Sequence, residues 1–182
     1  MKVLFLDRDG VINKYPGDTR YITSWKEFEF IPGSIEAVAK LNEKGFKIFV
    51  ISNQAGVAKG IYSRKELDLI TKNMLSALKK RNAKIDGVYY CTHFKEADCP
   101  CRKPKTGLLE KALKDYNIKP SISFFAGDSM ADMEAAKSFG IQSVLLLSGR
   151  EKISSKDKWT VKPDYIFDNL LVASHYLCSH YE

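Results

Sequence analysis

Residues 2–10 read KVLFLDRDG, a short apolar strand that runs directly into two acids separated by one residue. Further short apolar runs predict strands at 46–51, 87–90, 122–126, 142–147 and 165–166. Helices are predicted at 34–44, 63–81, 106–116, 131–139 and 170–176, with Ser34 capping the first and a capping box, Ser63 with Glu66, opening the second. Apolar strands that alternate with helices predict an α/β fold, a Rossmann-like parallel sheet flanked by helices on both faces.

Composition indicates a globular chain of one domain, residues 1–182. Hydrophobic residues make up 45% and charged residues 28%, which is typical of a folded protein. The apolar runs are too short to span a bilayer, and Asp7 interrupts the apolar N-terminus before a signal sequence can form. We therefore expect a cytoplasmic monomer with no membrane partner.

The net charge of +7 has two interpretations. A Lys-rich solvated surface explains it without any function. Attraction to anions, such as small phosphorylated metabolites or nucleic acid, explains it with one. Because the basic residues are spread along the chain and form no arginine-rich tail, nucleic acid is the weaker expectation.

Polar side chains follow three of the predicted strands. Asp7 and Asp9 follow the first, and residues i and i+2 of an extended chain project from the same face. Ser52 and Asn53 follow the second, where they suit either a phosphate-binding loop or an ordinary turn. Asp128 follows the fourth, one helical turn before Asp132, whose position also suits a plain helix cap.

The strand-end residues are more informative together than singly. In a parallel sheet the carboxyl ends of the strands lie at one edge, where ligands bind. Asp7, Asp9 and Asp128 gathered there would repel one another unless a hard cation neutralised them, and oxygen ligands of this kind suit Mg²⁺. Lys103 could neutralise a phosphoryl group and Arg102 could bind a second anionic group, although a solvated basic turn explains both as well.

A cluster of soft ligands immediately precedes this basic pair. Cys91 and His93 are followed by Cys99 and Cys101 within eleven residues. Three thiolates and one imidazole suit four-coordinate structural Zn²⁺, so we predict a small zinc-binding loop over residues 91–101. Buried apolar cysteines or an oxidised pair are the alternatives. We expect Cys178, far away in the sequence, to be a lone thiol.

The motif set resembles that of the haloacid dehalogenase superfamily of phosphatases over roughly residues 2–150. Within it, the chain is similar to the D-glycero-D-manno-heptose 1,7-bisphosphate 7-phosphatase family. The matching stretches are DRDGVIN at 7–13, PGS at 32–34, SNQAGVAKG at 52–60 and CRKP at 101–104. That family carries a zinc loop of this form, with a Pro often found where this chain has Thr92.

The resemblance implies a Mg²⁺-dependent phosphomonoester hydrolase of carbohydrate metabolism and heptose biosynthesis. Asp7 would be the nucleophile that forms an aspartyl phosphate, and Asp9 the general acid and then the base. Mg²⁺ would be held by Asp7, the backbone carbonyl of Asp9, and Asp128, with Asp132 in support. The phosphoryl group would be bound by side chains from two loops, Ser52, Asn53 and Lys103.

The segment between Asp9 and the first predicted helix is too short for the cap domain that many superfamily members carry. We expect residues 13–30 and the zinc loop to shield the site, with Tyr15, Tyr21 and Trp25 either lining the entrance or packing on the sheet. Other functions remain open: a histidinol-phosphate phosphatase, a nucleic-acid-end phosphatase, or a zinc-dependent binding module without catalysis. The Asp7–Asp9 pair argues against the last.

Overall fold

In residues 1–181, which the computed structural model describes, six strands pair in parallel into one sheet. They are β1 (Lys2–Leu6), β2 (Phe46–Asn53), β3 (Gly87–Cys91), β4 (Ile122–Gly127), β5 (Gln142–Leu146) and β6 (Tyr165–Phe167). Their order across the sheet is β3-β2-β1-β4-β5-β6. The connections therefore run outward in opposite directions from β1 and β4, and the carboxyl ends of these two neighbours form the switch point where ligands bind in such sheets.

Five α-helices cover the two faces of the sheet. They are α1 (Ser34–Glu43), α2 (Arg64–Lys79), α3 (Gly107–Asp115), α4 (Met130–Phe139) and α5 (Leu170–His180). Buried side chains of α1, α2 and α5 join one hydrophobic cluster, and those of α3 and α4 join another. Strand β1 contributes Leu4 and Leu6 to the first cluster and Val3 and Phe5 to the second, as the alternation of side chains along a strand requires. The predicted α/β class, with helices on both faces, is confirmed.

The start of α1 corrects one prediction. The capping residue is Gly33, in the left-handed region at φ 80°, and Ser34 is the first helical residue. The Ser34 hydroxyl instead donates a hydrogen bond of 2.9 Å to the carbonyl oxygen of Ile12. At α2 the predicted capping box is present, because Ser63 and Glu66 exchange both hydrogen bonds.

The connection from β1 to α1 forms the entrance segment, residues 14–33. It contains a short 3-10 helix, Trp25–Glu27, and no domain-sized insertion among the described residues. Trp25 stacks on Phe28 and meets the edge of Phe30, so it packs inward and does not line the entrance. Among the described residues, no helix has the length and apolar character needed to cross a membrane.

Candidate active site

A cleft of about 670 Å³ opens at the carboxyl edge of the sheet, above β1, β2 and β4. Its floor includes Asp7, Asp9, Ser52 and Asp128, and its walls come from the entrance segment and the loop after Cys91. Side chains that follow different strands in the sequence thus face one space, because the parallel strands all end at this edge.

Asp7 lies directly after β1 and contacts a buried lysine. Its backbone N–H donates to the carbonyl oxygen of Ala126 at 3.0 Å, which holds the ends of β1 and β4 together. The Lys103 Nζ lies 3.0 Å from Asp7 Oδ1. Burial raises the pKa of Asp7 to about 6, against the opposing effect of the Lys103 charge. A carboxylate in this setting is poorly solvated, and the neighbouring Lys103 charge favours its ionised form.

Lys103 reaches Asp7 from the turn that follows Cys101 and is held by a set of hydrogen bonds and ion pairs. Its Nζ donates to the carbonyl oxygen of Ile51 at 2.8 Å and lies 2.6 Å from Asp132 Oδ1. Asn53 holds its backbone from both sides, accepting from the Lys103 N–H and donating to the Lys103 carbonyl, both at 3.1 Å. The side-chain amide of Asn53 is therefore engaged with this loop. Although burial lowers the pKa of Lys103, the charges of Asp132 and Asp7 raise it above its ordinary value, so the ammonium stays charged.

Asp128 and Asp132 complete a group of carboxylates with Asp7, whose ligand atoms all lie within 4.8 Å of one another. Burial, and then the charge of Asp7, raise the pKa of Asp128 well above its usual range. The loops at Gly10 and Gly149 pass very close to Asp128: a Cβ on either residue would lie about 2 Å from its Oδ2. Only glycine allows both loops this approach, so the packing itself fixes the Asp128 carboxylate.

Asp132 combines the two roles that its position in the sequence left open. Its Oδ2 accepts hydrogen bonds from the backbone N–H of Ser129 at 3.1 Å and from the Ser129 hydroxyl at 2.6 Å, which forms the capping box of α4. Its Oδ1 forms the 2.6 Å ion pair with Lys103. The residue caps the helix and also holds the buried lysine.

Asp9 is not part of the group formed by Asp7, Asp128 and Asp132, and its side chain accepts hydrogen bonds from a separate set of donors. Its Oδ1 accepts from Arg8 Nε at 3.1 Å and from Asn13 Nδ2 at 2.8 Å. Its Oδ2 accepts from Arg8 Nη2 at 3.1 Å and from Gln54 Nε2 at 2.9 Å. The Asp9 side chain remains 20% exposed whereas that of Arg8 is fully buried, so Asp9 lies at the cleft surface on an internal support.

The four soft ligands converge at the wall of the cleft. Cys99 Sγ lies 3.5 Å from Cys91 Sγ and 3.2 Å from Cys101 Sγ, and His93 Nδ1 lies 3.2 Å from Cys101 Sγ. All four cysteines of the chain are free thiols. Sulfur atoms at these separations are too far apart for a disulfide and close enough to share one tetrahedral ion. This donor set is suited to Zn²⁺.

The entrance carries arginines from three segments. The Arg150 Nε pairs with Asp18 Oδ1 at 2.9 Å, which joins the loop after β5 to the entrance segment. Arg20 and Arg102 also line the cleft, and within residues 1–181 neither is paired with a carboxylate. Arg102 Nη1 is buried without a hydrogen-bond partner. Tyr15 and Tyr21 line the same opening, as one of the two alternatives for them predicted.

Known proteins of similar sequence span almost the whole chain. The D-glycero-β-D-manno-heptose-1,7-bisphosphate 7-phosphatase of Pasteurella multocida (strain Pm70) is 37% identical over 175 residues, covering 93% of this chain and 92% of its own. The chain belongs to the heptose bisphosphate 7-phosphatase family. The corresponding α-named enzyme of Campylobacter jejuni is 36% identical over 151 residues and covers 83% of this chain and 85% of its own.

Fold and family comparisons agree with this membership. Residues 100–173 match the sequence family described as HAD-hydrolase-like. The crystal structure of D,D-heptose 1,7-bisphosphate phosphatase from B. bronchiseptica, complexed with magnesium and phosphate, superposes with a TM-score of 0.91 at 27% identity and covers 98% of this chain and 99% of that one. The haloacid dehalogenase-like fold that the motifs implied is confirmed.

Arg8 and Tyr62 are among the residues of the site for which the sequence predicts no role. Arg8 belongs to the DRDGVIN motif; it is fully buried and binds Asp9 through two nitrogens. Tyr62 stands outside the motifs and donates a 2.6 Å hydrogen bond to Gln54. The position of Arg8 between two acids at a strand end is a signal from which its role could be predicted. The sequence offers no such signal for Tyr62, since the contact of Tyr62 with Gln54 depends on how the loop after β2 folds back.

Proposed function

We propose that this member of the family removes the 7-phosphate of D-glycero-D-manno-heptose 1,7-bisphosphate. The observation that carries the proposal is the similarity of over 90% of the chain to enzymes named for that reaction. The cleft supports it, because carboxylates at its floor and unpaired arginines at its rim suit a small sugar that carries phosphate at both ends.

The carboxylate group fits Mg²⁺ by its own chemistry. The partly buried Asp7 and the buried Asp128 and Asp132 have one ammonium, that of Lys103, among them. Desolvation raises the pKa values of Asp7 and Asp128, which a bound cation would offset. We assign Asp7, Asp128 and the backbone carbonyl of Asp9 as protein ligands, with Asp132 supporting Lys103. When bound, Mg²⁺ would supply positive charge against the phosphoryl oxygens and would favour the ionised forms of Asp7 and Asp128.

The proposed reaction has two displacements at phosphorus. The Asp7 carboxylate attacks, the P–O bond to the sugar breaks, and Asp9 gives its proton to the departing alkoxide oxygen. Water then attacks the aspartyl phosphate and passes a proton back to Asp9, which releases phosphate and restores Asp7. Lys103, with the Ser52 hydroxyl and Asn53 beside it, would stabilise charge on the phosphoryl oxygens.

The Cys91, His93, Cys99 and Cys101 set would hold a structural Zn²⁺. Four protein ligands leave no open position, so this ion would organise the loop and take no part in the chemistry. Arg102 and Lys103 follow the last ligand directly. The zinc loop would thus carry one cation down to Asp7 and another to the far end of the cleft.

A panel of phosphomonoesters tests the proposal. It contains both anomers of the heptose bisphosphate, because relatives of both names have nearly equal identity, together with histidinol phosphate and a 3′-phosphorylated oligonucleotide. We expect the highest kcat/KM for a heptose bisphosphate, and loss of turnover when magnesium is removed. The cationic amine of histidinol phosphate would meet Arg20 and Arg102 at the rim, so preference for that substrate would contradict the proposal.

A further inference from the structure

Gln54 is buried between Arg8 and Tyr62 on one side and Asp9 and Ser52 on the other, and these partners fix the orientation of its amide. Its Oε1 accepts from Arg8 Nη2 at 3.2 Å and from the Tyr62 hydroxyl at 2.6 Å. Since a guanidinium can only donate, the amide oxygen must face Arg8. The Nε2 therefore faces the site, where it donates to Asp9 Oδ2 at 2.9 Å and to the Ser52 hydroxyl at 3.1 Å.

Tyr62 is itself held in place by close packing. It is 4% exposed and lies on Gly56, where a Cβ would approach its ring carbon Cε1 to 2.2 Å. The centroid of the Tyr21 ring lies 6.3 Å from that of Tyr62, and the Tyr21 ring also lies close to Gly56. Burial raises the pKa of Tyr62 above its ordinary value, so the hydroxyl stays protonated and available as a donor. Its only polar contact in the described residues is Gln54.

We propose that Gln54 and Tyr62 are positioning residues for proton transfer at Asp9. The Tyr62 hydroxyl fixes the Gln54 amide, and the amide donates to Asp9 Oδ2, while Asn13 donates to Oδ1 and Arg8 donates to both oxygens. The inference rests on the proposed function, because the orientation of the Asp9 carboxylate affects catalysis only if Asp9 gives and takes a proton. The same contacts give the buried Arg8 guanidinium its acceptors, a structural role that differs from positioning because it does not depend on the substrate.

Such a role has a signature that a structural role lacks. Proton transfer matters when the leaving group is a basic alkoxide and matters little when it is 4-nitrophenolate, which departs without a proton. A variant that disturbs the orientation of the Asp9 carboxylate should therefore lower the rate for a sugar phosphate more than for 4-nitrophenyl phosphate. The same variant should have no effect on the rate once the carboxylate of Asp9 has been removed.

The experiment compares Tyr62→Phe with wild type on both substrates, by kcat/KM and by the pre-steady-state burst of nitrophenolate. We expect a five- to thirty-fold loss of kcat/KM for the best sugar phosphate, about 1–2 kcal/mol at 1.36 kcal/mol per tenfold, and less than threefold for the burst. In an Asp9→Asn background, adding Tyr62→Phe should change kcat/KM for the same sugar phosphate, measured under single-turnover conditions, by less than twofold. Tyr165→Phe is the control, because it removes a partly buried tyrosine hydroxyl contact, with Tyr181, at the edge strand β6.

An equal loss on both substrates, no loss on either, or an undiminished effect in the Asp9→Asn background would each overturn the inference. Should Tyr62→Phe not fold at the assay temperature, as judged by its melting transition, Gln54→Met carries the same comparison. A wild type that hydrolyses no phosphomonoester would instead refute the proposed function, and this inference with it. If the wild type is active and Asp7→Asn is inactive, the proposed function stands, and a negative result with Tyr62→Phe then refutes only the positioning role.

Discussion

Replacing Asp132 by Asn separates its two contacts, because asparagine can cap a helix but cannot pair with a lysine. The amide oxygen can still accept from the Ser129 N–H and hydroxyl, as Asp132 Oδ2 does at 3.1 and 2.6 Å. The amide nitrogen would then face the Lys103 ammonium, where the carboxylate now lies at 2.6 Å. Two donors would meet in a buried space, and Lys103 would keep only Asp7 and the Ile51 carbonyl.

The size of the effect follows from those contacts. A hydrogen bond to a charged group contributes about 1.5–3 kcal/mol to stability. Removing one of two neighbouring acids also relieves their repulsion, since the charge of Asp132 helps to raise the pKa of Asp7. We therefore expect the free energy of unfolding to fall by about 1.5 kcal/mol, the lower end of that range. A lysine displaced by about 1 Å should lower kcat/KM by roughly a hundredfold.

Urea unfolding in magnesium-free buffer measures the first quantity, with a constant slope showing that only stability has changed. Glu66→Gln is the matched control, because Glu66 occupies the same third position of the capping box on α2, away from the cleft. Glutamine serves as well in a capping box, so that variant should stay within about 0.5 kcal/mol and retain full activity. If Asp132→Asn behaved like Glu66→Gln in both assays, capping would be its whole role and the support of Lys103 would be refuted.

Four further predictions follow. Asp7→Asn should leave under about one part in a hundred of the wild-type kcat with an unchanged circular dichroism spectrum; greater activity in a pure sample would contradict covalent catalysis. Metal analysis should find about one zinc per wild-type chain, and Cys99→Ala should lower that content; a fully active zinc-free wild type would contradict the zinc assignment. Arg102→Ala should lower kcat/KM for the bisphosphate by about 1.5–3 kcal/mol and spare simple monophosphates; equal losses would mean that Arg102 serves the reacting phosphate. Asp164→Asn should destabilise the protein by about 1 kcal/mol at pH 7. Although burial raises the pKa of Asp164, hydrogen bonds from Lys137 and Ser143 lower it below its ordinary value, so the difference in unfolding free energy from wild type should shrink when urea unfolding is repeated below pH 4. A difference that does not depend on pH would refute the role of the Asp164 charge.

The sequence was sufficient to predict the layers of the fold because its strands are nearly uniformly apolar. Their boundaries were less accurate. Strand β2 continues two residues beyond the predicted end at Ile51, because Ser52 and Asn53 pair with Tyr90 and Cys91 of β3. The last helix runs to His180, four residues beyond its predicted end. For β2 a partner distant in sequence decides where the strand ends, and the local pattern contains no record of that partner. The additional residues of α5 include Leu177 and Cys178, which are buried in the cluster that also contains α1 residues.

The same distinction explains which parts of the site could be predicted. A parallel sheet brings the residues after its strands to one edge whatever their identity, so Asp7, Ser52 and Asp128 could be placed together from strand order alone. The support of Asp9 does not follow from strand order. Gln54 is oriented because Arg8 can only donate, and Tyr62 reaches Gln54 because Gly56 leaves room for its ring. The sequence therefore predicts which groups meet at the cleft, whereas the direction in which each group points depends on side chains that pack from other loops.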